Sequence, residues 1–115
     1  MTVKIAALQM TSGPDVAVNL AQAEALIEAA VGAGACLVAL PENFSFMGLK
    51  DADKRAVAEA ESGGPVQDFL SATAARFKVW LIGGTTPLRA GADRRPDQRI
   101  CLREVRGHVR AGCHL

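Results

Sequence analysis

The chain has 115 residues, half of them apolar, with four Phe, one Trp, no Tyr and a formal net charge of +1. That length suffices for one domain that buries about two-thirds of its unfolded surface, and its core must be built mainly from Ala, Val, Leu and Ile. No apolar run approaches the ~20 residues of a membrane span, the N-terminus lacks a cleavage-site pattern, and three widely spaced cysteines do not make a disulfide framework; the expectation is a soluble, reduced, cytoplasmic protein.

The small net charge conceals a division. Residues 1–88 carry six basic against nine acidic side chains, whereas residues 89–115 carry seven arginines against three acids and no lysine. The chain therefore divides into a mixed-charge part, 1–88, and an arginine-rich tail, 89–115.

In chain order, Val3 to Met10 is apolar except for Lys4 and Gln9, which predicts a strand covered on both faces. Ser12-Gly13-Pro14-Asp15 breaks it, and Asp15 or Ser12 caps the helix that follows. Val16, Leu20, Ala23, Ile27, Ala30 and Val31 recur at steps of three and four, forming one apolar stripe with Asn19, Gln22 and Glu28 on other faces. Gly32 and Gly34 end that helix, and Cys36 to Leu40 forms a second short buried strand. The strand–helix–strand order predicts a right-handed parallel crossover.

Pro41 cannot donate a ladder hydrogen bond, so pairing stops behind Leu40. Glu42 is thereby held at the carboxyl end of a strand, where open α/β sheets gather their binding and catalytic groups. Phe44, Phe46 and Met47 follow at once, and the expectation is that they shield this carboxylate. A carboxylate kept from water holds its proton to higher pH and can exchange it near neutrality. The competing reading is a strand-to-loop turn with a solvated Glu.

Lys50 to Glu61 reads as a charged, weakly amphipathic helix, punctuated by Ser62-Gly63-Gly64-Pro65, with Pro65 suited to a helix's first position. Val66, Phe69, Leu70, Thr73 and Phe77 mark a further helix ending near Lys78. Val79 to Gly83 forms a third strand running into a tight turn at Gly84-Thr85-Thr86-Pro87. That turn lacks the six-position glycine spacing and the Lys-Ser/Thr ending of a phosphate loop. Beyond Arg89 a polar loop precedes Ile100-Cys101-Leu102, a candidate strand, and the pattern then degrades.

Leu40-Pro41-Glu42-Asn43-Phe44, placed after Ile5-Ala6-Ala7-Leu8-Gln9-Met10 and before Trp80-Leu81-Ile82-Gly83-Gly84-Thr85, resembles the start of the carbon–nitrogen hydrolase (nitrilase) superfamily. The likeness is strongest to its omega-amidase and deaminated-glutathione-amidase-like branch and covers about residues 3–88. It implies an α/β fold, the incomplete N-terminal part of an α-β-β-α sandwich, and hydrolysis of amide or nitrile C–N bonds. It further implies a Glu-Lys-Cys triad in which Glu42 is the general base, with Asn43 and Phe44 lining the substrate site and setting the position and dryness of Glu42. A small-molecule amide substrate, no cofactor and no metal follow from the same likeness, as does a homodimer.

The other two triad members have no counterpart. Such chemistry needs a thiolate nucleophile and cationic or N–H donors where the oxyanion develops. The resemblance calls for a lysine closely followed by His-Leu; here His114-Leu115 closes the sequence and no lysine follows Lys78. A truncated or frameshifted reading frame would produce such a tail, and the neighbouring frames of the gene decide that hypothesis. Lys54 is most simply a solvated helix residue, with Lys50 also near Glu42 in sequence. Cys36 and Cys101 read as core residues, and Cys113 lies where fixed geometry is not expected. Cys101, His108, Cys113 and His114 have irregular spacing for zinc. The arginine-rich tail lacks aromatic residues for stacking on bases and reads as solvated, not as a nucleic-acid site. The expected activity is amide hydrolysis, with this chain inactive alone; the alternative is a non-catalytic fragment or interaction module using an exposed sheet edge.

Overall fold

The computed structural model describes residues 2–89 and, as backbone, the strand 97–103. The elements are β1 (Ile5–Ala7), α1 (Val16–Gly32), β2 (Leu37–Ala39), a 3-10 turn (Asp51–Asp53), α2 (Lys54–Val57), α3 (Pro65–Phe77), β3 (Trp80–Leu88) and β4 (Asp97–Arg103). They form an α/β unit with one four-stranded sheet in the order β1-β2-β3-β4. β1, β2 and β3 are parallel and β4 joins β3 antiparallel.

Register explains where the core sits. Ala6, Val38 and Leu81 lie side by side across the three parallel strands, on the face that α1 and α3 cover. Val38 and Leu81 pack there with Ala23, Ile27 and Val31 of α1 and Val66, Leu70 and Ala74 of α3. The neighbouring row is Ile5, Leu37 and Trp80, followed by Ala7, Ala39 and Ile82, and it points away from the helices. Leu37, Ala39, Trp80 and Ile82 are only partly covered, Ala7 is exposed, and Ile5 is 63% exposed. Among the described residues nothing covers the second face of the first strand, contrary to expectation, and only Ile5–Ala7 of Val3 to Met10 is strand.

α1 matches the predicted helix closely. Asp15 caps it by accepting from the Val18 amide, and the helix runs on to Gly32. One residue differs. Asn19, expected on an outer face, is buried together with Ala23, Ile27 and Val31.

The predicted helix over 50–61 is overturned. Helical structure ends at Val57, and Glu59 is extended, bridging Leu88 in parallel. Its amide donates to Pro87 O at 3.0 Å and its carbonyl accepts from Arg89 N at 2.7 Å. The Glu59 carboxylate, 7% exposed, accepts from the amides of Val66 and Gln67 and from Gln67 Nε2. These are the orphan donors at the start of α3, and satisfying them there is incompatible with a solvated helix. Gly64 permits this approach, since a Cβ on it would stand 2.5 Å from Glu59 Cδ. α3 runs from Pro65 to Phe77, as the sequence predicts, and Lys78 after it takes the left-handed conformation.

The third strand is longer than predicted. It continues through the glycines to Leu88 instead of turning at Gly84, and the Ile100–Leu102 segment falls within β4. Cys36 is buried, as expected. No helix among the described residues is long and apolar enough to cross a membrane. The zinc set Cys101, His108, Cys113 and His114, and most of the arginine-rich tail, lie outside the residues whose side chains are described.

Candidate functional site

Glu42 sits where β2 runs out. Leu40 makes the last ladder bond, its amide donating to Ile82 O at 2.9 Å, and Pro41 has no N–H to continue. The chain then folds into successive turns, with Phe44 N donating to Pro41 O and Phe46 N to Asn43 O, both at 3.2 Å. Asn43 takes φ 57°, a left-handed conformation that Asn tolerates better than most side chains. That turn drives Phe44 inward. Phe44 is fully buried and meets Phe69 of α3 at 6.4 Å between ring centroids.

The turn is held from beneath by Asn19. Its Nδ2 donates to Ser45 O at 2.9 Å and to Gly13 O at 2.8 Å, while its Oδ1 accepts from Gly13 N at 2.9 Å. Ser12 Oγ donates to Phe44 O at 2.7 Å, and Met47 N donates to Gly13 O at 3.0 Å. The loop after β1 and the loop after β2 are thus one hydrogen-bonded unit at the carboxyl ends of two parallel strands. This is the end of an open α/β sheet that supplies binding and catalytic groups.

β3 closes the third side. Thr85 Oγ1 donates to Glu42 Oε1 at 3.3 Å. Gly84 has φ +64°, and a Cβ built there would stand 2.7 Å from Pro41 O and 3.2 Å from Glu42 Cα. A side chain at 84 would collide with the peptide that carries Glu42.

Dryness is where expectation and structure part. Glu42 is exposed. Phe44 and Phe46 turn into the core and Met47 is 47% exposed, so the three residues expected to shield the carboxylate do not cover it. The chain turns at Asn43, in the left-handed conformation, and the two rings that follow are buried while Glu42 stays exposed. Lys50 is exposed and Lys54 half-buried; among the described residues neither pairs with Glu42. A cavity of about 390 Å³ is lined by Ala58, Glu59, Gly64, Val66 and Arg89 at the start of α3, and Glu42 is not among its lining residues.

Sequence reasoning missed Asn19, Gly84 and Thr85. A signal for Asn19 was present: Asn19, Ala23 and Ile27 are spaced four apart, so Asn19 continues the apolar stripe that it was assigned to flank. Gly84 and Thr85 carried none, because a glycine pair after a strand reads as a turn.

The chain matches the family model described as "Carbon-nitrogen hydrolase" over residues 4–104. It is 46% identical over 82 residues to the deaminated glutathione amidase of Synechocystis sp. (strain PCC 6803 / GT-S), an alignment covering 71% of this chain and 29% of that protein. Among solved structures it resembles Saccharomyces cerevisiae Nit3, a member of branch 10 of the nitrilase superfamily, with TM-score 0.80 and 27% identity over 93% of this chain and 41% of that one. It also resembles the C. elegans NitFhit protein, with TM-score 0.75 and 28% identity over 87% of this chain and 24% of that one. The chain thus spans less than a third of the amidase relative and less than half of either solved structure.

Proposed function

The chain belongs to the carbon–nitrogen hydrolase family, and from that membership we propose that it is the base-bearing part of an amidase that cleaves amides of small carboxylic acids. Glu42 is the general base, and Asn43 and Phe44 shape its surroundings, Asn43 by its left-handed turn and Phe44 by anchoring that turn in the core. The observation that carries the reading is the fixed setting of Glu42: an exposed carboxylate at the carboxyl end of β2, with the Thr85 hydroxyl on one oxygen. The amidase name of the Synechocystis relative supports the substrate class.

In this reading Glu42 takes the proton of an attacking thiol, whose sulfur bonds to the amide carbon. A cation stabilises the resulting oxyanion, the C–N bond breaks and the amine leaves with the proton Glu42 took; water, deprotonated by Glu42, then cleaves the thioester, releasing the carboxylic acid and returning the proton to the sulfur. The lysine and cysteine motifs that the family likeness calls for have no counterpart in residues 1–115, and in this reading the chain alone is inactive. The test is a chimera joining residues 1–88 to the remainder of the Synechocystis relative. The chimera is expected to hydrolyse a small ω-amide and its Glu42→Gln variant to lose about 10²–10⁴-fold in rate. A Glu42→Gln chimera with undiminished rate refutes the base assignment, and hydrolysis by the unmodified 115-residue chain refutes its inactivity.

A second reading, a non-catalytic interaction module, draws on the 63% exposure of Ile5 on the edge strand β1. Unpaired edges and uncovered apolar rows associate with partners.

A further inference from the structure

We propose that Gly84 and Thr85 are positioning residues for Glu42, acting through a bulge in β3. The inference rests on the assignment of Glu42 as the base. β3 and β4 pair Ile82 with Leu102 but Thr85 with Ile100, so β3 has one residue more than its partner over that interval. An extra residue on one strand re-aims the side chains beyond it. In an unbroken pleat Thr85 would share the face of Gly83, the face on which a Cβ at Gly83 would meet Leu70 of α3. With the extra residue, the Thr85 hydroxyl instead reaches Glu42 Oε1 at 3.3 Å.

Gly84 is the residue where the pleat breaks. Its φ of +64° is costly for any residue with a Cβ, and the 2.7 Å approach to Pro41 O and 3.2 Å approach to Glu42 Cα leave no room for one. The two features act on different atoms. Gly84 lets β3 lie against the Pro41–Glu42 peptide and so fixes the backbone, whereas Thr85 fixes the direction of the carboxylate. Because Glu42 is exposed, neither burial nor packing restrains its side chain, and the hydroxyl supplies the orientation that a general base requires.

The test is NMR spectroscopy of the 115-residue chain with ¹³C-labelled Glu, which needs no hydrolysis. In the wild type, the three-bond couplings of Glu42 are expected to show one dominant rotamer. In Thr85→Val, the ratio of that rotamer to the others is expected to fall about threefold, the size of one exposed hydrogen bond, with amide shifts of α1 and α3 unchanged. Thr85→Ser is expected to restore it. Gly84→Ala is expected to shift the amides of Glu42 and Asn43. Glu42 couplings identical in the wild type and Thr85→Val, or already averaged in the wild type, overturn the proposal; so does a Thr85→Ser variant that behaves as Thr85→Val. A Glu42 freed by Thr85→Val, in a protein whose chimera tolerates Glu42→Gln, keeps the positioning and removes the base. The opposite pattern keeps the base and removes the positioning.

Discussion

Asn19 satisfies three backbone groups, the partly buried Gly13 N and Gly13 O and the buried Ser45 O, and is itself only 2% exposed. Removing such a side chain leaves its partners desolvated, which costs more than the bonds gained. Asn19→Ala is therefore expected to destabilise the chain by about 2–3 kcal/mol in urea unfolding, and to speed amide exchange at Phe44, Phe46 and Met47. A loss below about 0.5 kcal/mol, the range of ordinary surface changes, would show that the two loops do not depend on it. At the same scale Glu42 shows what a local reading can and cannot supply. Its place after Pro41 follows from residue types alone. Its exposure does not, because the direction of Phe44 and Phe46 depends on the left-handed turn at Asn43, and left-handed Asn is an option that residue type permits without requiring it.

Elements differ in how far local pattern governs them. α1 has a full apolar stripe and a capping Asp15, and it forms where periodicity places it. The segment 50–61 has Ala and charge enough for a helix, yet long-range bonds claim its second half. Glu59 is drawn to the amides of Val66 and Gln67 and pairs through its backbone with Pro87 and Arg89. A carboxylate at a helix N-terminus is stabilising both as an acceptor and through the helix dipole. Glu59→Ala is accordingly expected to cost about 2–3 kcal/mol and to deprotect the first turn of α3. Asp15→Ala, which removes one exposed cap bond, is expected to cost about 1 kcal/mol. Equal effects from the two variants, read by denaturant unfolding, would contradict the difference in burial on which this ranking rests.

For the whole molecule, the deciding feature is a set of three parallel strands with, among the described residues, helices on one face. Such sheets ordinarily have both faces covered. Here the outward row runs from Ile5 and Ala7 through Leu37 and Ala39 to Trp80 and Ile82. If the module reading holds, the chain associates in solution, and Ile5→Lys, a charge on the 63% exposed edge position, shifts it toward monomer in sedimentation velocity. A monomeric wild type with cooperative unfolding removes that reading.

The sequence by itself determined the parallel strand–helix–strand plan, the capped first helix, the helix from Pro65 and the placement of Glu42 behind Pro41. Each follows from local stereochemistry: apolar period, capping chemistry, and the missing amide of proline. Tertiary structure decided the rest. The burial of Asn19, the capture of Glu59 by α3, the bulge that brings Gly84 and Thr85 to Glu42, and the open side of that carboxylate all join residues distant in sequence. No local period records such contacts, because they are fixed only when separate elements compete for the same backbone donors and the same space.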